Sequence, residues 1–241
     1  YGTEHVSHDG AISVILSCVS ALNNLGKIVK GNWDSQIKWL HDRLGELWKM
    51  RGPCPGLGAA LCAFGFEYGT FIAREIESKL PENSDPWLYV EKAFLNPKEY
   101  LKPSSASQFT KTLCDTWAQL PEERKSVFKL ISRFRLDSIQ ASLIYVAEER
   151  RKAGLDCTDK EIIANPYRIY ELTRLTANPI RLWTIDRGMM PDPIIRKNHP
   201  LIAPSALDGS TDKRRIRAFT IHQLEKSVFS GHTLIPREDI V

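Results

Sequence analysis

Apolar residues recur at three- and four-residue steps through most of the chain, the period of one face of a helix. Ile12, Ile15, Leu16, Val19 and Leu22 follow the N-cap candidates Ser7 and Asp9, and Gly26 predicts the end of that helix. Asp34 predicts the start of a second, with Ile37, Leu40, Leu44, Leu47 and Trp48 on one side, closed by Gly52-Pro53. The two together predict a helical hairpin. Short helices follow over Leu61 to Phe64 and Phe71 to Leu80. Another, opened by Pro86, carries Trp87, Val90 and Phe94.

Pro103 to Ser107 reads as an internal linker. Beyond it, Pro121 opens a helix with Val127, Leu130, Ile131 and Phe134, and Asp137 caps the next. Asn165-Pro166 and Asn178-Pro179 cut the following region into short helices. Met190 to Leu207 reads as irregular, and Thr211 as the cap of a last long helix ending near Gly231. Alternating strand-like runs are scarce. The pattern predicts an all-α fold, a bundle of short helices.

The chain has 241 residues, with a hydrophobic fraction of 42% and a net charge of +4. The longest apolar run, Ala11 to Val19, falls short of the ~20 residues that a membrane span needs, so no membrane association is expected. Five cysteines at wide spacings, without a CxxC pair, predict reduced thiols in the cytoplasm. Tyr1 at the start, and a stop at Val241 just past a patterned segment, suggest a piece of a longer protein. Basic residues cluster at Arg124 to Arg135, at Arg150, Arg151 and Lys152, and at Lys213 to Arg217. Each is expected to be a solvated helix face.

Pro55-Gly56-Leu57-Gly58 lies between helical segments and has the form of a helix-hairpin-helix turn. Two glycines permit positive φ and a close backbone approach. N–H groups pointing outward from such a turn, with the helix dipole behind them, suit a nucleic-acid phosphate. The candidate DNA contacts are Pro55, Gly56, Leu57, Gly58 and Ala59, with Leu57 plugging the core. Lys49, Arg51 and Arg74 are the nearest added charge. The competing reading is a glycine-rich corner without a ligand.

Residues 52–80 resemble the first helix-hairpin-helix unit of RecD-like DNA helicases, relatives of the exonuclease V alpha subunit. A diverged second unit would fall near Asp85 to Leu101, where Asn96-Pro97 is kept. Residues 165–172, NPYRIYEL, are similar to the step before the family's last hairpin. Residues 213–237 are similar to the stretch that leads into the motor, with Ser230 and Ile235 departing from its pattern. At the last hairpin, Asp186-Arg187-Gly188-Met189-Met190-Pro191 stands where the family has Gly-x-Gly.

The likeness spans residues 45–241. Residues 1–44 match no part of the family, and the helical hairpin over 1–50 is predicted by the apolar spacing; the likeness implies a first helix-hairpin-helix pair over 51–105, a diverged, partly degenerate region over 106–208, and a helix over 209–241 leading to a motor. It further implies a non-catalytic accessory region of an ATP-dependent DNA helicase active in DNA repair. Its partners would be DNA, held by the backbone without sequence specificity, and the parent's own motor. No Gly-x-x-x-x-Gly-Lys-[Ser/Thr] loop occurs in the chain. No cofactor is therefore expected here, and ATP and Mg²⁺ would belong to the motor. The alternative is a helical scaffold that docks a protein or braces the motor.

Sharper chemistry finds less support. A hairpin-bearing glycosylase needs a catalytic acid, and Asp85, just before Pro86, is better explained as an N-cap. His5, His8 and Asp9 could be drawn as a metal cluster but have no distant partner motif; His41-Asp42, His199, His222 and His232 are isolated. Trp39, Trp48, Trp87, Trp117 and Trp183 are expected in the core rather than stacking on bases.

Overall fold

The structure, a computed structural model, describes residues 6–81 and 84–236. His5 and Arg237, each part of a sequence expectation above, lie outside them. The described residues form helices and no strand, so the protein is all-α.

Helix α1 (His8–Ile28) starts where the Ser7 hydroxyl accepts from the Gly10 N–H, and it antiparallels α2 (Asp34–Arg51) as the predicted hairpin. Gly26 does not stop α1. The helix runs through it to Ile28, and its 21 residues are long and apolar enough to cross a bilayer by length and composition. Its apolar positions are divided. Ile12 and Val19 are buried, while Val14, Leu16 and Ile28 face outward.

Helix α3 (Leu57–Phe64) turns at Gly65, which has φ +124°, into α4 (Gly69–Lys79). Next come α5 (Pro86–Leu95), capped by Asp85 as expected, then the single turns α6 (Pro97–Tyr100) and α7 (Pro103–Ala106). The predicted linker is thus a helical turn, with Ser105 and Ala106 buried and the Ser105 hydroxyl donating to Glu75 at 2.5 Å. Then follow α8 (Lys111–Gln119), α9 (Glu122–Ser132) and α10 (Ser138–Tyr145). Asp137 and Gln140 complete a capping box at the start of α10.

Helices α11 (Ala147–Lys152), α12 (Asp159–Ala164), α13 (Arg168–Thr173) and α14 (Leu182–Met189) complete the body. Helix α15 (Pro193–Asn198) interrupts the stretch expected to be irregular. The last helix, α16 (Lys213–Phe229), is capped by Asp212 rather than Thr211 and packs on α13 and α14.

One hydrophobic core runs from Cys54 to Ala218 and crosses the expected boundary at residue 105 without a break. Its centre is aromatic. Phe94 stacks on Trp117 with ring centroids 4.6 Å apart, Phe66 meets Phe109 at 4.6 Å, and Phe64 lies edge-on to both Phe94 and Trp117. The α1–α2 hairpin has a separate small cluster, Ile12 and Trp48 against Ile195 of α15.

Candidate nucleic-acid interface

The Gly56-Leu57-Gly58 turn stands at the start of α3, ahead of the α3–α4 pair; the turn joining those two helices is at Gly65. Neither Gly56 nor Gly58 has positive φ. Both glycines serve close approach, and what approaches is the protein's own backbone. A Cβ on Gly56 would lie 1.9 Å from the Phe134 carbonyl oxygen, and one on Gly58 would lie 2.8 Å from the Thr70 Cα. Gly69 mirrors this from α4, with the Gly58 carbonyl oxygen 2.7 Å from its Cβ position. Helix α3 is thereby seated against the end of α9 and the start of α4.

The N–H of Gly56 points inward and donates to the Ser132 carbonyl at 2.8 Å. It is not available to a phosphate. Leu57 is fully buried, as expected of a plug, and Pro55 is half-buried. The half-buried Gly58 and Ala59 sit in the first turn of α3, where their N–H groups have no helical carbonyl to bond.

Of the three expected cations, Arg51 is spent inside. It is 4% exposed, and its Nε donates to Asp9 at 2.5 Å while its second guanidinium nitrogen reaches the Arg133 carbonyl at 3.3 Å. Burial lowers its pKa, and Asp9 opposes that shift without cancelling it. Lys49 and Arg74 are exposed and carry no ion pair among the described residues.

The basic clusters most visible in the sequence are largely neutralised. Arg124 and Arg150 share Asp159, Lys152 pairs with Glu148 and Glu149, Arg214 with Asp212, Arg215 with Asp186 and Arg217 with Glu171. Arg133 donates hydrogen bonds to the carbonyls of Gly188 and His199.

What remains is a strip of cations. Loss of hydration holds the Glu77 carboxyl above its ordinary value, opposed by the charge of Arg135 and of Arg74, which lies one turn earlier on α4. Lys49 shares a small hollow with the same Glu77. From Arg135 the strip enters a cleft of about 480 Å³ between the N-terminal ends of α1, α10 and α14, where Arg181 and Arg187 join it. Asp9 is in the cleft too, but it already faces Arg51 at 2.5 Å and Arg187 at 3.9 Å. Arg135 and Arg181 form no ion pair with a carboxylate among the described residues.

No protein-family model matches the chain, and neither a curated protein nor a solved structure matches it.

The region expected to carry the last hairpin is rearranged. Asp186, Arg187, Gly188 and Met189 are not a turn but the last residues of α14. The turn between α13 and α14 is residues 174–181, and the Gln140 side chain ties it to α10 by donating to the Pro179 carbonyl at 3.1 Å. Asp186 lies deep in the fold and accepts from the Tyr167 hydroxyl at 2.7 Å and from Arg215 at 2.7 Å. Gly188 lets α14 press on Phe134, whose ring would be 2.4 Å from an added Cβ.

The sequence pattern does not announce the cleft: Arg181 belongs to none of the basic clusters, and Trp183 reads as a core residue. Trp183 is in fact 46% exposed at the cleft's edge. The signal available in sequence is Asn178-Pro179 followed closely by Arg181, a turn delivering a cation to a helix start. Asp85 caps α5 through the Trp87 N–H at 3.0 Å, the role expected of it. No group of three His, Cys, Asp or Glu able to hold a metal occurs among the described residues, and no phosphate-binding loop occurs in the sequence.

Proposed function

We propose that this protein is a non-catalytic nucleic-acid-binding region that holds the DNA backbone without reading its sequence. The observation that carries the reading is the strip of exposed cations Lys49, Arg74, Arg135 and Arg181, which outnumber the one carboxylate near the first three, Glu77, in a molecule whose other arginines are mostly paired. Such a strip neutralises phosphates and releases their counterions, a sequence-independent attraction. The contact moves away from Gly56, whose N–H is used internally, toward the exposed side chains beside it. The likeness to the RecD-like helicase accessory region supports the same reading. There a weak contact gains from being tethered to a motor that already holds the strand. ATP hydrolysis with Mg²⁺ would belong to that motor, and the setting would be the cytoplasm.

The test is binding of a fluorescent duplex across a potassium chloride series. Affinity near 10⁻⁴–10⁻⁶ M at physiological salt, falling steeply as salt rises, is the expected result. Reversing Arg74 and Arg135 to Glu should flatten the salt dependence by roughly one unit of slope for each phosphate that is no longer neutralised. Reversing Arg151 and Lys213, both exposed and off the strip, makes the same change in net charge and should cost much less. Equal effects from the two pairs would refute the strip.

A scaffold role is the second reading. The outward apolar side chains of α1 and α16, among them Val14, Ile28 and Phe229, favour it. Salt-insensitive behaviour with no DNA affinity at low salt would select it.

A further inference from the structure

The ridge Pro179, Arg181 and Trp183 separates two hollows and lines both. On one side is the cationic cleft. On the other is a hollow of about 470 Å³ between α13, α14 and α16, walled by Tyr170, Ile180, Leu182 and Phe229. The two hollows differ in kind. In the cleft, Arg135 and Arg181 lack carboxylate partners among the described residues, and the buried Arg187 Nε and Asp9 Oδ2 have no hydrogen-bond partner there. The second hollow is chiefly apolar and aromatic. Two of its charged groups are tied to each other: Glu225 accepts from Arg174 and also, at 2.6 Å, from the Tyr170 hydroxyl, while Lys226 lines the hollow beside them. The Trp183 ring meets Phe219 edge-to-face at 5.0 Å and remains 46% exposed, and Phe229 is 91% exposed.

A phosphate site next to an aromatic hollow matches the repeating unit of a polynucleotide, an anion joined to a flat apolar ring. A duplex can fill only the first, because its bases are stacked and paired inside. A single strand can fill both, and base–aromatic stacking tolerates any sequence. We infer that the ridge at Arg181 and Trp183 is a single-strand binding site, with phosphate in the cleft of Arg135 and Arg181 and a base against Trp183 and Phe229. The inference rests on the backbone-binding reading above and deepens it by naming the strand state.

The experiment uses the whole chain with fluorescent oligothymidylate of about 20 nucleotides, longer than the ~4–16 that such sites cover, and a duplex of equal length. The single strand should bind about tenfold tighter or better. Phe229→Ala, at a side chain outside the core, and Trp183→Ala should each weaken single-strand binding about fivefold or more, the lower end for loss of a stacked base. Both should leave the duplex unchanged. Arg181→Glu should weaken both ligands.

If single strand and duplex bind equally and the aromatic variants change nothing, the strip stands and the single-strand site is overturned. If neither ligand binds even at low salt, both readings fall. If Phe229→Ala leaves oligothymidylate binding intact but shifts self-association in ultracentrifugation, the apolar hollow belongs to a protein surface and the inference is overturned.

Discussion

Between Cys54 and Met189 the chain buries ring against ring, whereas the α1–α2 hairpin meets that body through a few side chains and one ion-pair network. In the body, glycines let backbones touch, and aromatic side chains fill the space between helices. In the hairpin, Ile12 and Trp48 reach Ile195, and beside them Asp9 faces Arg51 and Arg187. A buried carboxylate between two arginines contributes little net stability, but losing one partner strands the others. The body is therefore sensitive to volume, and the attachment of the hairpin is sensitive to charge.

The largest expected effect comes from adding volume. Gly56→Ala places a methyl group 1.9 Å from a backbone oxygen, which no side-chain adjustment relieves. A loss of about 4 kcal/mol or more is expected, the range reserved for severe core insults. Urea unfolding followed by circular dichroism measures it; a loss under ~1 kcal/mol, the size of an ordinary substitution, would mean that α3 is not seated as described.

Asp9→Ala comes next. It leaves the guanidinium of Arg51, 1% exposed, without its carboxylate, for about 3–5 kcal/mol. The loss should be local. Hydrogen exchange should speed up across α1 and α2 while α3, α9 and α10 keep their protection. Uniform acceleration through the whole chain would show that hairpin and body unfold as one unit.

The smallest effect separates two thiols. Cys18 on α1 is exposed, whereas Cys54 is buried at the foot of α3 and its thiol is pushed up to about 11 by burial, with Ser132 pulling back. At pH 8 an alkylating agent should label Cys18 readily and Cys54 only through unfolding. The linked effect on stability has a definite sign. Above the unfolded thiol value of roughly 8.5, the unfolded chain has lost a proton that the folded chain keeps. Stability should therefore fall as pH rises from there toward about 11, by at most ~1.4 kcal/mol per pH unit. Cys54→Ala should remove that slope; a slope unchanged in the variant would assign it to other groups.

The helical class was legible because apolar spacing and caps are local. Asp85, Asp137 and Pro86 act at their own helix starts, and their roles were readable from a few neighbours. Gly56 was legible as a position that forbids a side chain, but not for whom. The choice between a phosphate and the Phe134 carbonyl depends on a segment far along the chain. Arg51 was misplaced for the same reason, since its carboxylate, Asp9, lies 42 residues earlier. The Arg124 to Arg135 cluster looked uniform, yet Asp159, Glu91 and backbone carbonyls remove most of it and leave Arg135. Pairing is a tertiary property, so a surviving cation cannot be told from a neutralised one by spacing.

The seat of α3 also has a consequence for how the protein is made. Arg51 and the carbonyl it reaches at Arg133 are 82 residues apart, and α3 packs on the distant α10 as extensively as on its neighbour α4. At a translation rate of about 5–20 residues per second, the start of α3 waits roughly 4–16 s for its counterpart to be synthesised. During that interval Leu57, Leu61 and the aromatic residues beside them have no finished core to enter. Nascent chains stalled before α9 should thus expose apolar surface and recruit chaperones, and those stalled after α10 should not. Excision of residues 52–80 as an autonomous unit should fail for the same reason.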